Sequence, residues 1–194
     1  NPLQIAQLGE AVEAAGVEIR VLVDVNAGMD RCGVEPGAPV VHLAQAIDKA
    51  KGLTFGGIQA YHGTSQHFRG HDERAAAIKG ACAGVEKTIE ALKKAGLVCA
   101  EVSGGGTGTY EFEVASGLFT EIQAGSYIFM DHDYTLNKNK DGSIFQDFQQ
   151  SLFVLATVIS HPGPDRMVAD AGTKALSVDT GLPVTHDLGG IKYK

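Results

Sequence analysis

Residues 102–112 read VSGGGTGTYEF, and how this stretch is read decides the fold. Four of the seven residues from Ser103 to Thr109 are glycine, set between Val102 and the aromatic residues Tyr110 and Phe112. Glycine weakens a strand because it loses the most backbone freedom on ordering and packs no side chain. A cluster of four therefore serves either the chain's own turn or something that the backbone must approach closely. Working outward, Leu97 to Val102 reads as a strand that runs into the cluster, and FTEIQA (119–124) as the next strand. Before them the alanine- and leucine-bearing stretch 71–95 reads as a helix stopped by Gly96.

The same alternation reaches back to the start of the chain. Residues 3–15 have helical spacing up to Gly16, and Glu18 to Val25 is short and β-branched, so a strand. Residues 39–51 are helical again up to Gly52. Leu53 to Tyr61 is strand-like and meets the polar turn Gly63-Thr64-Ser65. Alternating helix and strand is the pattern of a parallel α/β sheet or barrel. The character then changes: Leu152 to Ser160 and Met167 to Ala171 are strand-like with no helix between them. An antiparallel β section is expected after about residue 140, with the polar run Asn137 to Gly142 as a surface loop.

Composition narrows the function classes. The 194 residues are 44% hydrophobic and 20% charged with a net charge of −7, and no basic run exceeds Lys93-Lys94. A nucleic-acid binder needs a basic patch, so that partner is not expected. No apolar stretch reaches the roughly 18 residues of a membrane span. Cys32, Cys82 and Cys99 are odd in number, widely spaced and without a CxxC pair, which fits free thiols in a reducing cytoplasm. The chain enters a helical pattern directly after Asn1-Pro2 and stops at Lys194 soon after a Gly-Gly turn, so a piece of a longer protein is expected.

In parallel α/β folds, ligands gather at the C-terminal tips of the strands. Four tips carry unusual residues: NAGMDRCG (26–33), YHGTSQH (61–67), SGGGTGT (103–109) and AGSY (124–127). The glycine cluster is either a plain turn or a phosphate cradle of converging N–H groups, and Gly125-Ser126 offers a second small-residue site. Arg31 reads as a surface ion pair or as the holder of an anionic oxygen. Tyr61, followed by His62, reads as a packed ring or as one lying on a flat ligand. His67 and His71 have i,i+4 spacing but no glutamate base between them. Asp131, His132 and Asp133 are too close in sequence to converge readily on one ion, so neither set is assigned a metal.

Four motifs in order, GIQAYHG (57–63), SGGGTGTYEF (103–112), QAGSYIFMD (123–131) and KALSVDTGLP (174–183), resemble the D-threonine aldolase and D-serine dehydratase group. These are pyridoxal-phosphate enzymes of the alanine-racemase-like fold (fold type III), and the resemblance spans nearly the whole chain. It implies an α/β barrel that holds the cofactor at its C-terminal mouth and is followed by a β domain. About four βα units would occupy residues 1–135, and residues 136–194 would begin the β-rich domain. Ser103, Gly104, Gly105, Gly106 and Thr107 would bring backbone amides to the phosphate, with Gly125, Ser126 and Tyr127 completing the cup. By the same resemblance Arg31 would contact the phenolic oxygen, Tyr61 would lie against the pyridine ring, and Gln123 would stand near the ring nitrogen. His62 is the catalytic candidate.

The lysine that carries the cofactor, and the ligands of a divalent metal (Mn, Mg or Zn), would belong to segments outside this chain. The implied reaction is retro-aldol cleavage of a β-hydroxy-D-amino acid, D-threonine foremost, to glycine and an aldehyde. Dehydration of D-serine or D-threo-3-hydroxyaspartate is the alternative within the group. In another class stands a pyridoxal-phosphate-binding protein or fragment without catalysis. The implied partner is the small amino acid alone, with neither nucleic acid nor membrane, and the full-length protein is expected as a cytoplasmic homodimer.

Overall fold

The computed structural model describes residues 1–179 and 181–186. Thr180, inside the KALSVDTGLP motif, and residues 187–194 of the expected β-rich segment lie outside the described residues. Helix α1 (Pro2–Ala15) begins on the Asn1 side chain, which accepts from the Gln4 N–H, and ends where Gly16 turns left-handed at φ 66°. Strand β1 (Ile19–Asp24), helix α2 (Ala38–Lys49) and strand β2 (Leu53–Gln59) follow. Helix α3 (His71–Lys94) has Asp72 and Glu73 in its first turn and Lys93 and Lys94 in its last, each sign matching the helix dipole. Strand β3 (Glu101–Gly104), helix α4 (Tyr110–Ser116) and strand β4 (Glu121–Ile122) complete the repeating part.

The four strands form one parallel sheet in the order β1-β2-β3-β4. Ile19, Val21, Val23 and Val25 of β1 and its extension face the helices and pack with Val40, Ala44 and Ile47 of α2 and Val85 and Leu92 of α3. The helix-facing residues of β2 change phase along the strand, from Leu53 and Phe55 to Ile58 and Ala60. A bulge causes the change: Val21 pairs with Phe55 but Leu22 pairs with Gly57, so Gly56 is the extra residue. Gly57 is required there, because it sits at φ 150° and a Cβ would collide with the Glu101 backbone of β3.

Within the sheet, the sequence expectations change around β3. Leu97 to Ala100 is not strand, and β3 runs instead into the glycine cluster as far as Gly104. Pairing with β2 starts only at Gly57–Glu101, beyond the bulge, so the preceding residues have no partner strand. Helix α4 was not expected, because Tyr110, Phe112 and Val114 alternate with glutamates at the period of a strand. The helix wins with a left-handed Gly117 (φ 68°) closing it and with Glu113 as its buried side chain.

Beyond the sheet, Met130, Tyr134 and Phe145 form a second small core flanked by Tyr110 and Phe148. Asn137 is not the surface residue the polar run suggested. It is fully buried, donates from Nδ2 to the Gln66 carbonyl at 2.9 Å and accepts from Arg69 at 2.9 Å. Arg74 is also buried and donates to the carbonyls of Phe68 and Lys138, which fastens this return segment to the start of α3. Strands β5 (Val158–Gly163) and β6 (Arg166–Ala169) pair antiparallel, as expected, but Leu152 to Thr157 forms no strand. Among the described residues no helix is long and apolar enough to cross a membrane.

Candidate functional site

The tips of β1, β2, β3 and β4 all lie at one end of the sheet, as parallel pairing requires. The phase change in β2 then sorts their side chains between its two faces. Ala60 belongs to the helix-side core, so Tyr61 turns to the opposite, open face, where it shares a small recess with Asp24, Met29 and Arg31. Arg31 is exposed and forms no ion pair among the described residues, so the surface ion-pair reading has no partner to support it. Its charge is felt by both neighbours. Burial pushes the Tyr61 phenol and the Asp24 carboxyl up, and the Arg31 guanidinium partly offsets each.

His62 goes the other way. It is 8% exposed and lines a cavity of about 190 Å³ between the strand tips and the small residues Ala77, Gly80, Ala81 and Gly84 of α3. Its Nδ1 accepts from the Ser65 N–H at 3.3 Å, and burial holds the imidazole below its ordinary pKa. The structure therefore does not bring His62 beside Tyr61 and Arg31. A different histidine stands among the tip residues: His67 Nδ1 meets Asp133 Oδ2 at 2.5 Å, and its ring lies 5.3 Å from that of Tyr134. Arg69 grips the same Asp133, and it, more than His67, holds that carboxyl below the usual carboxylate range. Burial pushes the Tyr134 phenol up, with Ser126 opposing the shift and Tyr61 adding to it.

The glycine cluster is explained first by packing. A Cβ on Gly104 would lie 2.6 Å from the Ala60 carbonyl, and one on Gly106 would lie 2.5 Å from Gln66 Oε1. Gly105 is left-handed at φ 71°, with Glu113 and Ile122 both 3.2 Å from the Cβ it lacks. Of the two readings of the cluster, packing is therefore sufficient to forbid side chains here, because Ala60 at the β2 tip and Gln66 already fill the space. Yet a cradle remains. Among the described residues the backbone N–H groups of buried Gly106 and Thr107 donate to no protein acceptor. Buried N–H groups are seldom left unpaired, so an anionic ligand fits them. Thr107 Oγ1 accepts from the Tyr127 N–H at 3.0 Å, and Gly104 O accepts from the Gln123 N–H at 2.9 Å, which ties the β4 tip to this loop. Ser103 is buried and hydrogen-bonds Glu121 of β4. Gln123 and Gly125 are exposed, and the Tyr127 ring lies 5.3 Å from that of Phe148, tilted by 55°.

Sequence reading missed Glu113, Gln66, Tyr134 and the His67–Asp133 pair. Only Glu113 carried a local signal, a glutamate in the first turn after a threonine. The others are joined across 43 and 66 residues of chain, beyond the reach of any spacing rule. Among the described residues no three His, Cys, Asp or Glu side chains gather to hold a metal ion. The divalent metal implied by resemblance therefore has no fitting ligand set within them.

A parallel βα sheet with polar groups and unpaired backbone N–H groups gathered at its strand tips is the arrangement of the α/β-barrel class. The chain belongs to the alanine racemase N-terminal domain family, which matches residues 1–133, and it has the alanine-racemase-like α/β fold. Residues 151–192 match the putative serine dehydratase domain. A D-threonine aldolase of Arthrobacter sp is 44% identical over all of this chain and half of its own length. A 3-hydroxy-D-aspartate aldolase of Paracoccus denitrificans (strain Pd 1222) is 42% identical over 97% of this chain and 49% of its own. The crystal structure of D-threonine aldolase from Filomicrobium marinum superposes with a TM-score of 0.94 at 44% identity, over all of this chain and 51% of that one. The chain thus spans about half the length of the relatives it matches.

Proposed function

We propose that this chain is the ligand-holding part of a pyridoxal-phosphate-dependent lyase that cleaves β-hydroxy-D-amino acids, D-threonine foremost, to glycine and an aldehyde. The observation that carries this reading is that Arg31 and Tyr61 in one recess, and the N–H groups of Gly106 and Thr107, which lack acceptors among the described residues, stand at the same end of the sheet. Similarity to aldolases over the whole chain supports the same choice. Residues 1–135 hold the ligand in this reading, and residues 136–194 open a second, β-rich unit. In this reading the cofactor-bearing lysine and the ligands of a divalent metal belong to other segments of the protein.

Bound pyridoxal phosphate supplies an electron sink that weakens the bonds at the substrate Cα. The chain's own residues hold and orient it. Gly106 and Thr107 would donate to the phosphate, with Ser103 to Gly105 behind them and Gly125, Ser126 and Tyr127 closing the cup. The Arg31 guanidinium would balance an anionic ring oxygen, and Tyr61 would cover a ring face. Gln123 would serve the ring nitrogen. Cleavage requires loss of the β-hydroxyl proton, and an imidazole of the YHGTSQH tip takes it. Asp133 orients His67 for that role, whereas His62 faces the helix-side cavity.

The test is the full-length protein's visible absorbance, followed by product analysis with D-threonine and D-3-hydroxyaspartate. Glycine and an aldehyde are expected. A 2-oxo acid with ammonia would instead establish the dehydratase reading, which the match of residues 151–192 favours. A colourless protein forming neither product pair would overturn both and leave a non-catalytic role.

A further inference from the structure

Beneath the glycine loop lies a carboxyl that the proposed reaction does not use. Glu113 of α4 is 1% exposed, and its Oε2 is buried without a hydrogen-bond partner. Its Oε1 accepts from the Thr109 hydroxyl at 2.9 Å. The direction of that bond follows from the next one. Gln66 Nε2 donates to Thr109 Oγ1 at 2.7 Å, so the single hydroxyl proton of Thr109 is left for Glu113. Gln66 Oε1 meanwhile accepts from the Gly108 N–H at 2.9 Å, and its Nε2 also reaches the His62 carbonyl at 3.2 Å. One buried chain thus runs from the β2 tip through Gln66 and Thr109 to Glu113, bracketing the loop that carries the free N–H groups. The Cβ that Gly105 lacks would sit 3.2 Å from Glu113 Cδ, which places the carboxyl directly against the loop's left-handed residue.

We infer that Glu113 is a positioning residue for the glycine loop. Through Thr109 and Gln66 it sets the backbone that offers Gly106 and Thr107 to a phosphate-bearing ligand, and its proton controls whether a negative charge lies under that ligand. The inference rests on the cofactor reading above. Burial pushes this carboxyl up to about 7, against the opposing pull of Thr109 and its own backbone. The Tyr61 phenol from the β2 tip and the Cys82 thiol from α3 feel its charge, while Tyr110 and Glu111 share its helix and Glu121 lies on β4. Among the described residues no lysine or arginine pairs with it. A neutral Glu113 therefore leaves the cradle free for an anion. Once ionised, it opposes one, and affinity falls as the pH rises through about 7.

Pyridoxal phosphate is the probe, titrated into the full-length apoprotein from about pH 6 to about pH 8 for the wild type, Glu113→Gln and Glu113→Ala. The cofactor's own titrations are common to all three, so the comparison between variants is the readout. Wild-type affinity is expected to fall about tenfold relative to Glu113→Gln across that window, as one buried like charge predicts. Glu113→Gln keeps the acceptor for Thr109 and should bind at least as tightly as the wild type at the alkaline end. Glu113→Ala removes that acceptor and should bind more weakly than Glu113→Gln at every pH; if it does not fold, the glutamine variant alone decides. Parallel wild-type and Glu113→Gln curves would overturn the inference while leaving the cofactor reading intact. No saturable binding by the wild type would overturn the cofactor reading, and this inference with it.

Discussion

The proton on Glu113 belongs to different places in the folded and unfolded chain. Its carboxyl rises from 4.5 to about 7 on folding, because burial disfavours the charged form. The folded state therefore binds the proton more tightly than the unfolded one. Stability is greatest below the unfolded value and declines as the pH rises from there through about 7. Glu113→Gln removes this dependence. Its stability relative to the wild type should grow between about pH 5 and pH 8, by up to about 3 kcal/mol, in denaturant titrations of the same protein. A constant difference across that range would mean that water reaches Oε2. Arg31 makes the opposite case at the same scale: it is exposed, forms no ion pair among the described residues, and its charge partly offsets the burial of Tyr61 and Asp24. Residue type alone left it open between surface and site, and the fold sets it in one recess with Tyr61 and Asp24.

Among the elements, β2 does the sorting. A regular strand from Leu53 would have kept odd-numbered residues toward the helices, with Tyr61 among them and His62 on the open face. The extra residue at Gly56 reverses this. Gly57→Ala should therefore cost more than about 2 kcal/mol of stability, since it adds strain at a positive φ and drives a methyl into the β3 backbone. Gly80→Ala is the control. Nothing lies within 4 Å of its added methyl on α3, and a gain of up to about 1 kcal/mol is expected. Denaturant midpoints of the two variants compare them, and equal effects would remove the bulge from this account. The helices were legible in sequence because apolar spacing and glycine stops act locally. Helix α4 was hidden because its apolar residues alternate like those of a strand, and the start of β3 because a strand needs a partner that no local pattern specifies.

For the whole molecule, the contrast between the two ends is the main physical fact. The sheet and its helices bury a continuous core, whereas Leu152 to Leu155 are exposed, Leu155 at 97%, and outside any strand. Limited proteolysis of the 194-residue chain should cut first within 152–157 and leave a folded N-terminal fragment. Early cuts inside α1 to β4 would contradict that order of local stability. The sequence by itself determined the alternating α/β organisation, the four strand tips and the family resemblance, because periodicity, glycine stops and motifs are local properties. The tertiary structure alone decided which faces those tips share. It turned Tyr61 toward Arg31, His62 toward α3 and His67 toward Asp133, and it set Glu113 under the glycine loop. Those placements depend on one bulge and on contacts between residues far apart in the chain, and neither is encoded in the spacing of neighbours.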